Sequence, residues 1–225
     1  AAEPWKVPDP SSFEPFPAKF LTEPRGEVLE PYKRNENGSR PWIKPGTPHM
    51  MHRIGGIEKD AGTGNISYDP ANHQHMTDTR KNKIANIEVP DQDVAWGEKT
   101  GKLAVVGWGS TYGPIKQAVR RSQDKGCSVS HIHVRHIWPL PKNLGELLSG
   151  FERVLVPEMN TGQLKTVLRD QLLVDAESLT KTSGQPFQIA ELEEAICAYF
   201  DGVPGNTGGE VEPNEQQLPS PVEGE

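Results

Sequence analysis

Hydrophobic positions fall into short, regularly spaced runs between residues 96 and 201 and are scattered elsewhere. Leu103 to Trp108 (LAVVGW) is an unbroken apolar run of buried-strand type. Pro114 then starts a helix with Ile115, Ala118 and Val119 on one face and Gly126 just past its end. Val129 to Val134 reads as a second strand and RVLVPE, residues 153–158, as a third. Between them Leu144, Leu147, Leu148 and Phe151 recur at i, i+3, i+4 and i+7, behind Asn143 and Glu146, which resemble a capping box. Asn160 with Gln163 opens a further helix lined by Leu164, Val167, Leu168 and Leu172. A last one runs from about Ile189 to Phe200, with Leu192 and Ile196 facing inward. Strands alternating with helices of this length predict right-handed crossovers and a mainly parallel sheet with helices on both faces, an α/β fold.

The flanks obey other rules. Residues 1–50 hold 10 of the 21 prolines, which fix φ and remove backbone donors, so long helices and central strands are excluded there. The same stretch carries Trp5, Phe13, Phe16, Phe20, Tyr32 and Trp42, costly side chains to leave in water. An irregular arm that lays its aromatics on another surface is the expectation. In the connector, residues 51–95, Asp69 is placed to cap a helix that begins at Pro70, with Met76, Ile84 and Ile87 at roughly helical spacing. Ahead of it GGIEKDAGTGN packs four glycines into a tight loop whose backbone must pass close to something. The expected organisation is an arm and linker over 1–95, the α/β domain over 96–201, and a disordered acidic tail over 202–225, whose glycines, prolines and glutamates support no core.

Composition narrows the function. The net charge is −7, but the tail alone contributes five glutamates and no basic residue, leaving −2 for the rest. No basic face invites nucleic acid. No apolar run approaches the roughly 20 residues of a membrane span and no secretion signal opens the chain, so a cytoplasmic setting without membrane contact is expected. The chain starts at Ala1 without a methionine, as a processed product or a piece of a longer protein would. Cys127 and Cys197 sit in apolar segments and read as buried free thiols. Two cysteines cannot complete an iron–sulfur cluster, which takes four.

The best-placed chemical signal is GWGSTYGP, residues 107–114, at the carboxyl end of a strand and the entrance to a helix. Its glycines, Ser110 and Thr111 could aim N–H groups and hydroxyls at an anion. The spacing is neither a dinucleotide fingerprint nor a phosphate-binding P-loop, so a purely structural turn stands equally. Seven histidines offer no zinc pattern: His131 and His133 share a strand face with His136 following, His49 and His52 lie in a loop, and His73 and His75 point apart on the connector helix. Glu158, at a strand end beside Asn160, reads as a hydrogen-bonded helix cap more readily than as a catalytic group. No nucleophile elbow or Ser/His/Asp set is present, so the domain reads as a subunit module.

Taken together, HRIGGIEKDAGTGNISYDPANHQHMTDTR, VVGWGSTYGPIKQAV, VRHIWPLPKNLGELL, RVLVPEMNTGQLKTVLR and VDAESLTKTSGQPFQIAELEEAI run in order between about residues 40 and 199. They resemble the C-terminal part of the α subunit of 2-oxoacid:ferredoxin oxidoreductases, of the 2-oxoglutarate type. The resemblance implies a domain similar to the C-terminal domain of transketolase, preceded by the exit from a thiamine-pyrimidine-binding domain. It implies oxidative decarboxylation of 2-oxoglutarate to succinyl-CoA, with ferredoxin as the indirect electron acceptor. Thiamine diphosphate, magnesium and an iron–sulfur cluster would belong to the complete complex with a β subunit and not to this chain alone. No segment like the YPITP of the pyrimidine domain is present, so no catalytic residue is assigned. Gly107, Gly109, Ser110, Thr111 and Gly113 would shape a ligand or interface loop, with Asn160 nearby, and Arg135 lies in a segment like the RxxxPxP of transketolase-type domains. A free-standing CoA- or nucleotide-binding module using the 107–113 loop, and a pyruvate or branched-chain relative, are the alternatives.

Overall fold

A computed structural model describes residues 7–14, 19–24 and 26–200. Trp5, Phe16 and the expected acidic tail lie outside them. The chain divides into two compact units, Ala1–Glu88 and Val89–Glu225.

The first unit is largely irregular, as its prolines dictate. A single turn at Pro10–Ser12 and two two-residue strands, β1 (Phe20–Leu21) and β2 (Trp42–Ile43), pair in parallel, with Phe20 and Trp42 ring centroids 6.1 Å apart. Phe13, Phe20 and Trp42 remain exposed, whereas Tyr32 is buried. The glycine-rich loop closes on that ring: at Gly64, φ is +72° and a Cβ would stand 2.5 Å from Tyr32 Cδ2. Helix α1 (Pro70–Ala85) starts as its cap signal requires, the Asp69 carboxylate accepting from Ala71 N–H at 3.0 Å. The apolar face expected along it does not form. Met76 alone is buried; Ile84 is exposed on the last turn and Ile87 lies beyond the helix end. The rest of the helix surface is largely polar, and Asn72, His73 and Arg80 tie it to the glycine loop by hydrogen bonds instead.

The second unit holds a five-stranded sheet in the order β3-β5-β4-β6-β7: β3 (Val94–Trp96), β4 (Gly101–Trp108), β5 (Val129–Val134), β6 (Phe151–Glu158) and β7 (Ala176–Thr180). Every pairing is parallel except β3 with β5. Two strands escaped the sequence pattern. β3 is three residues long and lies upstream of the expected domain start at 96, and β7 (AESLT) is too polar to register as an apolar run. Both are edge strands, where one side is free of sheet neighbours and charge is tolerated. β7 carries Glu177, which takes Arg153 of β6 in a bidentate pair.

Period-two alternation in β4 builds two cores. Leu103 and Val105 point to one face, beneath α2 (Tyr112–Asp124) and α5 (Ile189–Cys197) through Ile115, Ala118, Val119, Leu192 and Ile196. Ala104 and Val106 point to the other, beneath α3 (Leu144–Ser149) and α4 (Gln163–Leu172) through Leu144, Leu148, Leu164 and Leu168. The predicted parallel sheet covered on both faces is therefore present. Cys127 and Cys197 are buried within the first core and form no disulfide. Asn143 does not cap α3. Its amide instead clamps the segment before β3, accepting from Gln92 N–H and donating to Gln92 C=O, both at 2.8 Å. The wider separation of partners made this contact invisible to a three-residue capping pattern.

Candidate functional site

The chain leaves β4 for α2 on one face, returns as β5 on one side of β4, and then crosses to place β6 on the other side. The connections after β4 and β6 consequently diverge to opposite faces of the sheet. A crevice must open between them, at the carboxyl ends of the two central strands, and such reversals of strand order are where α/β sheets receive ligands. Here the crevice has a volume of about 300 Å³ and is lined by Trp108, Gly109, Ser110, Thr111, Met159, Asn160 and Gln163. Topology thus brings four sequence-selected residues, Gly109, Ser110, Thr111 and Asn160, to one opening.

The first wall is the turn after β4. Gly107 is required there by close approach: a Cβ would lie 2.4 Å from Ile115 Cδ1 and 2.9 Å from Thr111 Oγ1. Gly109 adopts φ +57°, a conformation L side chains rarely take. Thr111 is buried, and its hydroxyl donates to Trp108 C=O at 2.8 Å and accepts from Trp108 N–H at 3.2 Å. Its polarity is spent on stapling the turn. Gly113, by contrast, has nothing within 4 Å of its Cβ position.

The second wall is the entrance to α4. Asn160 Oδ1 accepts from Gly162 and Gln163 N–H at 2.7 and 3.0 Å, and its amide donates to Glu158 at 3.1 Å. Glu158 itself is fully buried. Its carboxylate accepts from Leu164 N–H at 2.8 Å, Lys165 N–H at 3.1 Å and the Trp108 indole N–H at 3.3 Å. A carboxylate surrounded by first-turn amides lies where the helix dipole favours negative charge, which offsets its loss of water. Glu158 is therefore a cap that also joins the two walls. Trp108, Met159 and Gln163 were not selected from the sequence. The signal for them was positional, since each lies next to or just beyond a strand end bordering the reversal.

Arg135 stands apart. It lines a separate cleft of about 350 Å³ with Asp91, Asp93, Tyr112, His133 and His136. Behind that cleft the rings of Tyr112, His131 and His133 form a cluster with centroids 4.9 to 5.6 Å apart. His131 is fully buried with neither ring nitrogen hydrogen-bonded. Burial, then the nearby His133 and Lys116 charges, push its pKa down to about 3. Burial, then Arg135, lowers that of His133 as well. Both imidazoles are thereby kept neutral near neutral pH.

Comparison with known proteins fits this geometry. Residues 101–192 match the family model of the pyruvate:ferredoxin oxidoreductase core domain II. The chain is 44% identical over 202 residues to the 2-oxoglutarate oxidoreductase subunit KorA of Mycobacterium tuberculosis, covering 89% of this chain and 31% of that protein. It is 31% identical over 195 residues to subunit alpha of the 2-oxoacid:ferredoxin oxidoreductase 2 of Aeropyrum pernix, covering 84% and 30%. The chain thus spans about a third of the length of these curated relatives. Among solved structures it is similar to the 2-oxoglutarate:ferredoxin oxidoreductase of Magnetococcus marinus, which was solved with 2-oxoglutarate, coenzyme A and succinyl-CoA bound. The TM-score is 0.74 at 27% identity, over 85% of this chain and 34% of that one. Over most of its length the chain is thus similar to α subunits of 2-oxoacid:ferredoxin oxidoreductases, and residues 101–192 carry the core-domain match.

Proposed function

We propose that this chain is the C-terminal part of the α subunit of a 2-oxoglutarate:ferredoxin oxidoreductase, and that its task is to complete and support an active site assembled with other domains. The assembled enzyme would decarboxylate 2-oxoglutarate oxidatively to succinyl-CoA and pass the electrons towards ferredoxin in the cytoplasm. The observation that carries this reading is the state of the crevice. Among the described residues, Thr111, Glu158 and Asn160 are engaged by hydrogen bonds within the fold, while Ser110 and Gln163 line the opening. A shaped recess with spent polar groups suits a docking wall better than a reaction centre.

Thiamine diphosphate, magnesium and the iron–sulfur cluster fit poorly on this chain by itself. Among the described residues no three His, Cys, Asp or Glu side chains converge to hold a metal ion, and both cysteines are buried in the core. Those groups would be held with the β subunit. Among the described residues no helix is long and apolar enough to cross a membrane. The exposed apolar side chains of the first unit, Met51 at 93% and Tyr68 at 86% of full exposure together with Trp42 and Ile54, suit contact with other subunits.

Reconstitution tests the reading. The chain, a β subunit and the thiamine-pyrimidine-binding domain together should give 2-oxoglutarate-dependent dye reduction in the presence of CoA. The chain and β subunit without that domain should give none. Turnover by those two components alone would overturn the assignment.

A further inference from the structure

The first unit contains a concentration of positive charge that its own fold does not neutralise. Arg34, Arg40, Lys59 and Arg80 line one cleft of about 380 Å³, with Glu58 as its acidic member. These groups arrive from three separate places: the turn around Gly38, the first half of the glycine loop, and helix α1. Glu58 is already occupied. It accepts both terminal nitrogens of Arg80, at 3.1 and 3.0 Å, lies 3.0 Å from His73 Nδ1, and takes Lys59 N–H at 3.2 Å. The Arg80 hydrogen bonds, aided by His73 and against the opposing effect of burial, hold its pKa down to about 2. One carboxylate thus faces four cations.

Among the described residues the remaining cations lack adequate acceptors. Lys59 is 4% exposed, and among the described residues its ammonium donates only to Ile57 C=O. Arg34 donates through Nη1 to Gly38 C=O at 2.9 Å, but its Nε is buried without a partner. Arg40 sits over Tyr32, its Cζ 4.3 Å from the ring centroid, and its Nη1 is likewise buried and, among the described residues, unpartnered. Burial, followed by the charges of Arg40 and Arg80, lowers the pKa of Arg34. Like charges held this close repel, and buried donors without acceptors cost stability. Arginine forks supplied from different directions, with a lysine at the floor, are the usual complement of a phosphate group.

We infer that this cleft binds a small phosphate-bearing anion carrying two or more negative charges, held by Arg34, Arg40, Lys59 and Arg80. A single carboxylate would satisfy one side of the ring of donors, whereas a phosphate oxygen can face each. The site lies wholly within the first unit and does not depend on the chemistry proposed for the enzyme.

The test uses the full 225-residue chain and inorganic pyrophosphate as the probe, with sulfate and chloride as competitors, followed by titration calorimetry. Saturable one-to-one binding is expected, weakened at least about tenfold by Lys59→Met or Arg40→Gln, each of which removes charge-assisted hydrogen bonds. Lys99→Gln, an exposed cation of the second unit, should change nothing. Non-saturating binding, binding that chloride matches, or full affinity in both variants would overturn the inference. Because either variant could fail to fold, amide exchange in the unaltered chain provides a second reading. Pyrophosphate should slow exchange selectively over residues 54–60, and uniform or absent protection would equally overturn it.

Discussion

The buried carboxylate of Glu158 accepts a hydrogen bond at 3.3 Å from the indole of Trp108, fifty residues earlier in the chain. Trp108 ends β4 and Glu158 ends β6, so this bond spans the mouth of the crevice between two strands that pair lower in the sheet. The carboxylate also collects the first free amides of α4, and one side chain therefore sets the position of both walls.

Replacing Glu158 tests this directly. In Glu158→Gln, one oxygen acceptor becomes an N–H donor that faces either the Lys165 amide or the Leu164 amide with the Trp108 indole and Asn160, and an unsatisfied buried donor costs about 1–3 kcal/mol. Urea unfolding should show that loss, and Trp108 fluorescence should change in the native state. An unchanged midpoint would mean that the carboxylate holds neither wall.

Gly107 and Gly113 should behave oppositely although both belong to the same motif. Gly107→Ala drives a methyl into Ile115 and Thr111, and overpacking of this kind costs about 1–3 kcal/mol. Gly113→Ala meets open space in the first turn of α2 and should be neutral or stabilising by up to about 1 kcal/mol. Thermal melts of the two variants decide the matter, and equal shifts would contradict the close-approach argument.

His131 should make stability depend on mild acid. Its folded pKa of about 3 lies below the ordinary 6.5, so the neutral ring's contribution is present above pH 6.5 and is lost as pH falls from 6.5 towards 3. The slope approaches at most about 1.4 kcal/mol per pH unit. His131→Phe should flatten the curve of urea midpoint against pH across that interval. Parallel curves for the two proteins would show that the imidazole does not stay neutral in the fold.

The thiols should be inert in the native protein. Burial, then the neighbouring Cys197, pushes the Cys127 pKa up to about 11, and both side chains are buried in the core between the sheet, α2 and α5. A chromogenic disulfide reagent should titrate no cysteine before denaturant is added and both afterwards. Rapid native reaction of either would mean that α5 opens readily.

What the sequence determined by itself was the part written in local periodicity. Leu103–Trp108, Val129–Val134 and the inward faces of α2, α4 and α5 were legible because each buries a continuous apolar surface, and that requirement leaves a repeat of two or of 3.6 residues. Asp69 ahead of Pro70 was equally local. The edge strands β3 and β7, the Gln92–Asn143 clamp and the solvent-facing end of α1 were not legible, because partners far apart in the chain impose them. The same division runs through the candidate site. The GWGSTYGP turn announced itself by composition, but its use of Thr111 as a staple, its alliance with Asn160 and its separation from Arg135 follow from strand order. The crevice exists because β5 and β6 lie on opposite sides of β4, a fact of crossover direction that local residue patterns do not encode.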